Sequence, residues 1–157
     1  TGTLCEQLGD SVPLSTERGY STTIETNTNI KNLILFKDDE FVATPMNSGL
    51  RLGGTVELAG LEAPPNYDRT ALLARQLGTY FPNIDTGKRT DWMGHRPSLP
   101  DTMPVIGQSP THANVIYAFG HGHVGVTQSA ITGKLVSQLA AGVEPEIDLT
   151  PFSISRF

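Results

Sequence analysis

Apolar and polar positions alternate with a period of two through the first third of the chain. Between Val12 and Glu25, Leu14, Thr16, Tyr20, Thr22 and Ile24 share that period in a segment rich in Thr and β-branched residues, which predicts one long strand. Short strands are predicted over 32–36 and 41–45, parted by the acidic turn Asp38-Asp39-Glu40. A further strand over 50–58 is expected to put Leu50, Leu52, Val56 and Leu58 on one face, after a hairpin turn at Asn47-Ser48-Gly49. Past Pro64-Pro65 the period changes: Leu73, Leu77 and Phe81 form the stripe of one amphipathic helix over 68–81, with Asp68 as its N-cap and Pro82 just beyond its end. Four prolines (97, 100, 104 and 110) then deny the chain a long helix and predict an extended passage. A buried-type strand over 114–120, a glycine loop and a helix over 124–141 follow, the helix striped by Ile131, Leu135 and Leu139 and closed by Gly142. Strands, a helix, more strands and a terminal helix lack βαβα alternation. The expected class is therefore α+β, with a mixed, largely antiparallel sheet and a single domain over 1–157.

The glycine loop carries the most chemistry. Gly120, Gly122 and Gly125 spell GxGxxG between a strand and a helix. A dinucleotide fold also needs a second parallel strand ending in an acidic residue about twenty positions on, and "VEPEIDLTPFSISRF", with Pro145 and Pro151, leaves little room for one. No complete Rossmann unit is expected. Two readings stay open from spacing alone: a loop that brings helix-terminal amides to an electron-rich ligand group, or a tight turn whose glycines only permit close packing. His121 and His123 in HxH spacing suit a metal, but no acidic or cysteine partner lies near them in sequence, so they read as loop or packing residues. Arg96 sits beside Pro97 on stiff backbone. That position suits two-point recognition of a carboxylate, and equally an ordinary ion pair.

Composition narrows the field. A formal charge of −5 with no run of Lys or Arg gives no footprint for nucleic acid. No apolar run approaches the roughly 20 residues of a transmembrane segment. Cys5 is the only cysteine, which suits a cytoplasmic location. No GxSxG, HExxH or phosphate-binding GK[ST] loop is present, so hydrolase and kinase chemistry have no support, and neither a catalytic side chain nor a metal ligand is expected.

Three stretches together carry a resemblance: "VPLSTERGYS" (12–21), "GHRPSLPDTMPVIG" (94–107), and "NVIYAFGHGHVGVT" leading into "TGKLVSQLAAG" (114–142). In order and spacing they resemble the C-terminal part of the FAD-dependent D-amino-acid oxidase and dehydrogenase superfamily, which includes glycine and sarcosine oxidases. The resemblance implies that the intact protein oxidises the Cα–N bond of an amino or imino acid, passing hydride from Cα to flavin N5. It implies that Arg96 binds the substrate carboxylate, with Tyr20 on the substrate side. It also implies that Gly122, His123, Val124, Gly125, Val126 and Thr127 meet the pyrimidine edge of FAD, and that Gly133 is explained by close helix packing. Members of the superfamily carry their dinucleotide fingerprint near the N-terminus, and residues 1–90 supply none. The chain is thus expected to be a C-terminal fragment whose N-terminal FAD-binding region or subunit is absent, cytoplasmic and without a transmembrane segment, and peripheral to the membrane at most through its electron acceptor. The alternative is a catalytically inert substrate-side or assembly module that does not bind FAD alone. His95 stands where many relatives carry an apolar residue, so substrate preference does not carry over.

Overall fold

The structure, a computed structural model, describes all 157 residues. In chain order it contains α1 (Gly2–Gln7), β1 (Ser15–Ile24), β2 (Ile34–Phe36), β3 (Phe41–Met46), β4 (Gly49–Glu57), α2 (Asp68–Tyr80), β5 (Arg89–Ser98), β6 (Val105–Gln108), β7 (Ile116–Phe119) and α3 (Gly125–Ala140). Short 3-10 turns cover Gly122–Val124, Thr150–Phe152 and Ile154–Arg156. The elements form a five-stranded sheet in the order β2-β3-β4-β1-β5 and a two-stranded sheet β6-β7. Pairings β2–β3, β3–β4, β1–β4 and β6–β7 are antiparallel, so the α+β class with no complete Rossmann unit holds. The chain falls into two compact units: Arg18–His95, and Thr1–Glu17 together with Arg96–Phe157.

In the Arg18–His95 unit, α2 lays Leu73, Ala74 and Leu77 against Ile24, Phe41, Ala43, Leu50 and Leu52. Each such buried aliphatic side chain contributes roughly 1.5–3 kcal/mol. The expected stripe of α2 is present, but its N-terminus differs: Tyr67 is the N-cap residue, and Asn66 Oδ1 accepts from the Asp68 N–H at 3.1 Å. Asn66 closes an Asx turn one step earlier than expected, which makes Asp68 the first helical residue. The face expected for β4 is also corrected. Leu50 and Leu52 are buried, whereas Val56 and Leu58 are 39% and 79% exposed. The register explains this: Tyr20 pairs with Thr55 and Ser21 with Gly53, leaving Gly54 as an extra residue. Gly54 has φ +156°, and a Cβ there would lie 2.4 Å from the Glu40 carbonyl oxygen. A one-residue bulge reverses the facing of every later side chain in the strand.

In the other unit, Cys5, Leu99, Val105, Tyr117 and Ile154 form the core. Helix α1 and strand β6 were not foreseen; α1 is short, and β6 fits between Pro104 and Pro110. Pro97 lies within β5, which is tolerated because β5 is an edge strand. Helix α3 packs on β6 and β7 through Thr132 and Leu135, while Ile131 is 40% exposed, so the inward stripe is offset from the expected one. Its end is as expected: Gly142 (φ +67°) follows the helix, Val143 N–H donates to Gln138 O and Gly142 N–H to Leu139 O, a Schellman cap. Asp10 is tied into this unit by Tyr117 Oη (2.7 Å) and Ser109 Oγ (2.9 Å).

Candidate functional site

The site grows from the end of β7. Gly120 is buried with φ +80°, and a Cβ on it would lie 2.5 Å from Leu99 Cδ1, so only glycine turns the chain here. Gly122 (φ +50°) continues the turn into the 3-10 segment and α3. His121 straps the loop to the helix: its Nε2 lies 3.0 Å from Thr132 Oγ1, and its Cβ would touch a Cβ at Gly125 at 3.3 Å. Burial pushes the His121 imidazole pKa down, favouring the neutral ring. Neither the 3-10 turn nor α3 has a side-chain cap or an acidic residue in its first turn. Val124 N–H donates to the His121 carbonyl at 3.1 Å, and no side chain caps the other N-terminal amide donors, which suits them to an electron-rich group.

Beneath the loop lies a cavity of about 190 Å³ lined by Glu17, Ser98, Leu99, Gly120, His121 and His123. Ser98 Oγ is buried with no hydrogen-bond partner, and it would meet a Cβ on Gly122 at 3.4 Å. His123 Nε2 is hydrogen-bonded to Glu17 Oε2 at the cavity's edge. Arg96 precedes Ser98 by two residues on β5, hence on the same strand face, and its Nη1 is buried without a hydrogen-bond partner. A guanidinium nitrogen in that state suits an incoming carboxylate. Of the remaining loop residues, Val124 is 43% and Val126 92% exposed, and Thr127 is exposed as well.

Tyr20 belongs to the Arg18–His95 unit and is 2% exposed. Its hydroxyl donates to Glu57 Oε2 at 2.5 Å and accepts from the Asn66 N–H at 3.0 Å. Arg18, wholly buried, donates from Nη2 to Ala63 O at 2.8 Å and lies 3.4 Å from Glu57. The Tyr20 hydrogen bond, helped by Arg18 and Arg69, holds the Glu57 carboxyl below the usual range. The hydroxyl of Tyr20 is thus already engaged.

Ser98 and Glu17 escaped the sequence reading. Ser98 was detectable as the residue two beyond Arg96 on a strand; Glu17 carried no signal, since its neighbour His123 is 106 positions away. The two imidazoles of the HxH pair turn to different partners, Thr132 and Glu17, and no group of three or more His, Cys, Asp or Glu is placed to hold a metal ion. Gly133 needs a different account from the expected one: a Cβ there meets nothing within 4 Å, so no neighbour in this chain requires the glycine. No helix is long and apolar enough to cross a membrane.

The family model described as DAO, FAD dependent oxidoreductase, matches residues 1–139. The chain belongs to this FAD-dependent oxidoreductase family. Among relatives of the FAD-dependent oxidoreductases, a D-amino-acid oxidase of Bradyrhizobium diazoefficiens is 47% identical over 98% of the chain and 38% of its own length. A D-amino acid dehydrogenase of Xanthobacter autotrophicus is 32% identical over 100% of the chain and 38% of its own length. The chain thus spans well under half of the curated relatives it matches. The fold is similar to part of glycine oxidase from Geobacillus kaustophilus, with a TM-score of 0.83 over 98% of this chain and 42% of that one, at 24% identity. For an FAD-dependent oxidoreductase, the uncapped amides and the unpartnered Ser98 hydroxyl fit the carbonyl-bearing edge of an isoalloxazine. Helix α3 leads into a turn and 3-10 segments rather than into the parallel strand of a dinucleotide fold.

Proposed function

We propose that this chain is the substrate-side and C-terminal flavin-contacting part of an enzyme that oxidises the Cα–N bond of an amino or imino acid. The observation that carries the reading is Arg96, whose buried Nη1 lacks a partner on the strand that continues into the loop cavity through Ser98. Arg96 binds the substrate carboxylate in a two-point grip, which fixes Cα and its hydrogen in one orientation. The backbone amides of Gly122 to Thr127, apart from that of Val124, which donates to the His121 carbonyl, donate to the flavin edge where negative charge develops, and Gly120 and His121 hold them there before substrate arrives. FAD, when bound, supplies the two-electron acceptor for the Cα hydrogen. Tyr20 has the lesser part on the substrate side, because its hydroxyl is committed to Glu57.

In the full-length enzyme, Arg96→Ala is expected to raise KM for carboxylate substrates by about 10- to 150-fold, as loss of a charged hydrogen bond of about 1.5–3 kcal/mol implies. An unchanged KM would sink the assignment. A second reading concerns the 157 residues by themselves, and the missing strand after α3 favours it: alone, the chain is an inert module without a pyrophosphate site. Mixing it with FAD and filtering checks this. The chain stays colourless if the reading is right and turns stoichiometrically yellow if it is wrong.

A further inference from the structure

The rate of amine oxidation by hydride transfer depends on a step that the loop and Arg96 do not perform. At neutral pH an amino acid carries an ammonium group, which has no lone pair to assist loss of hydride from Cα. Something has to take a proton from it.

The cavity beneath the glycine loop holds a group suited to that. His123 stands at its open edge, 53% exposed, with Nε2 against the Glu17 carboxylate, which is 26% exposed. A carboxylate at one ring nitrogen keeps the proton on that nitrogen, so the other, Nδ1, is the ring's acceptor. The charged and titratable groups around the cavity are few. His121 is held neutral by burial and tied to Thr132, and Asp101, on the turn that supplies Thr102, is occupied by Arg156 at 2.7 Å. No Lys or Arg lines the cavity to compete for Glu17.

We propose that His123, oriented by Glu17, accepts the proton of the substrate ammonium before oxidation. The proposal rests on the amino-acid reading above. One N–H bond of the ammonium breaks and leaves its electron pair on nitrogen, the Nδ1 lone pair forms the new N–H bond, and no electron changes owner. The products are a neutral amine and an imidazolium whose Nε2–H remains hydrogen-bonded to Glu17. His123 is then a catalytic residue and Glu17 a positioning residue.

The test uses the full-length FAD-loaded enzyme. Wild type is expected to hold kcat/KM flat from neutral to alkaline pH. His123→Gln is expected to lose about 100-fold at pH 7 and to climb about tenfold per pH unit toward the ionisation of the substrate's own ammonium. Glu17→Gln shifts the profile the same way by a smaller factor, and it carries the test if His123→Gln does not fold. Independently, NMR of the 15N-histidine-labelled enzyme follows addition of 2-aminoisobutyrate, an amino acid with no Cα hydrogen to lose. One imidazole becomes doubly protonated in wild type and none in His123→Gln. A variant with the wild-type pH profile, or an imidazole that stays neutral on binding, overturns the proposal. Failure of the wild-type enzyme to oxidise any amino or imino acid would instead remove the functional reading beneath it.

Discussion

Replacing Gly120 by alanine tests how the site is built. Two penalties apply together. The residue sits at φ +80°, a region that costs an L-residue roughly 1–2 kcal/mol. The new methyl would also lie 2.5 Å from Leu99 Cδ1 and 3.1 Å from its Cγ, and Leu99 is 4% exposed within the core formed with Cys5, Val105, Tyr117 and Ile154. Forcing a packed leucine aside costs about 1–3 kcal/mol. The sum is about 2–5 kcal/mol, or a fall in Tm on the order of 10 °C for a domain of this size. Urea titration followed by circular dichroism reads the change, provided the slope is unaltered. A double-mutant cycle separates the two penalties. Leu99→Ala alone leaves a cavity and costs about 2–5 kcal/mol, but it also removes the atoms that clash. Gly120→Ala should then cost only the backbone part in the Leu99→Ala background. Strict additivity, or a loss under about 0.5 kcal/mol for Gly120→Ala alone, would refute the reasoning.

Two further substitutions follow from the same unit. Gly133→Ala is expected to stabilise the isolated chain by about 1 kcal/mol, because the glycine lies inside α3 with nothing within 4 Å of its Cβ position; the urea midpoint measures it. Asp10 supplies a pH dependence. The hydrogen bond from Tyr117, with others from Ser109 and Thr111, lowers its pKa, so the folded state binds its proton less readily than the unfolded chain. The resulting stability is fully present above the unfolded carboxyl value of about 3.9 and is lost as pH falls through the depressed folded value. Asp10→Asn should flatten the acid limb of the urea midpoint against pH, and an unaltered limb would assign the acid sensitivity elsewhere.

Much of the layout was legible because it rests on local rules. The period-two pattern of β1, the 3.6-residue stripe of α2 and the glycine after α3 each gave its element to within a few residues. What the pattern missed depended on register or on distant partners. The bulge at Gly54 is set by how β4 meets β1, so Val56 and Leu58 carried apolar side chains outward against their period. The offset of the α3 stripe likewise follows from which side of the helix meets β6 and β7. At the site, the glycine loop and Arg96 were readable because glycine and proline neighbours constrain backbone directly. The Glu17–His123 pair was not, since only the fold joins two residues so far apart in the chain.

The division of the chain also governs when each of its units can assemble during synthesis. Residues 1–17 leave the ribosome well ahead of the rest of their unit, which begins at Arg96. During synthesis at about 5–20 residues per second, the intervening roughly 80 residues delay that meeting by on the order of 4–16 s. The Arg18–His95 core has every residue it needs before then, whereas Asp10 and Cys5 wait for Tyr117 and Ile154. Nascent chains stalled before and after Ile154 would therefore differ in protease resistance over residues 1–17 and 96–157 rather than over 18–95.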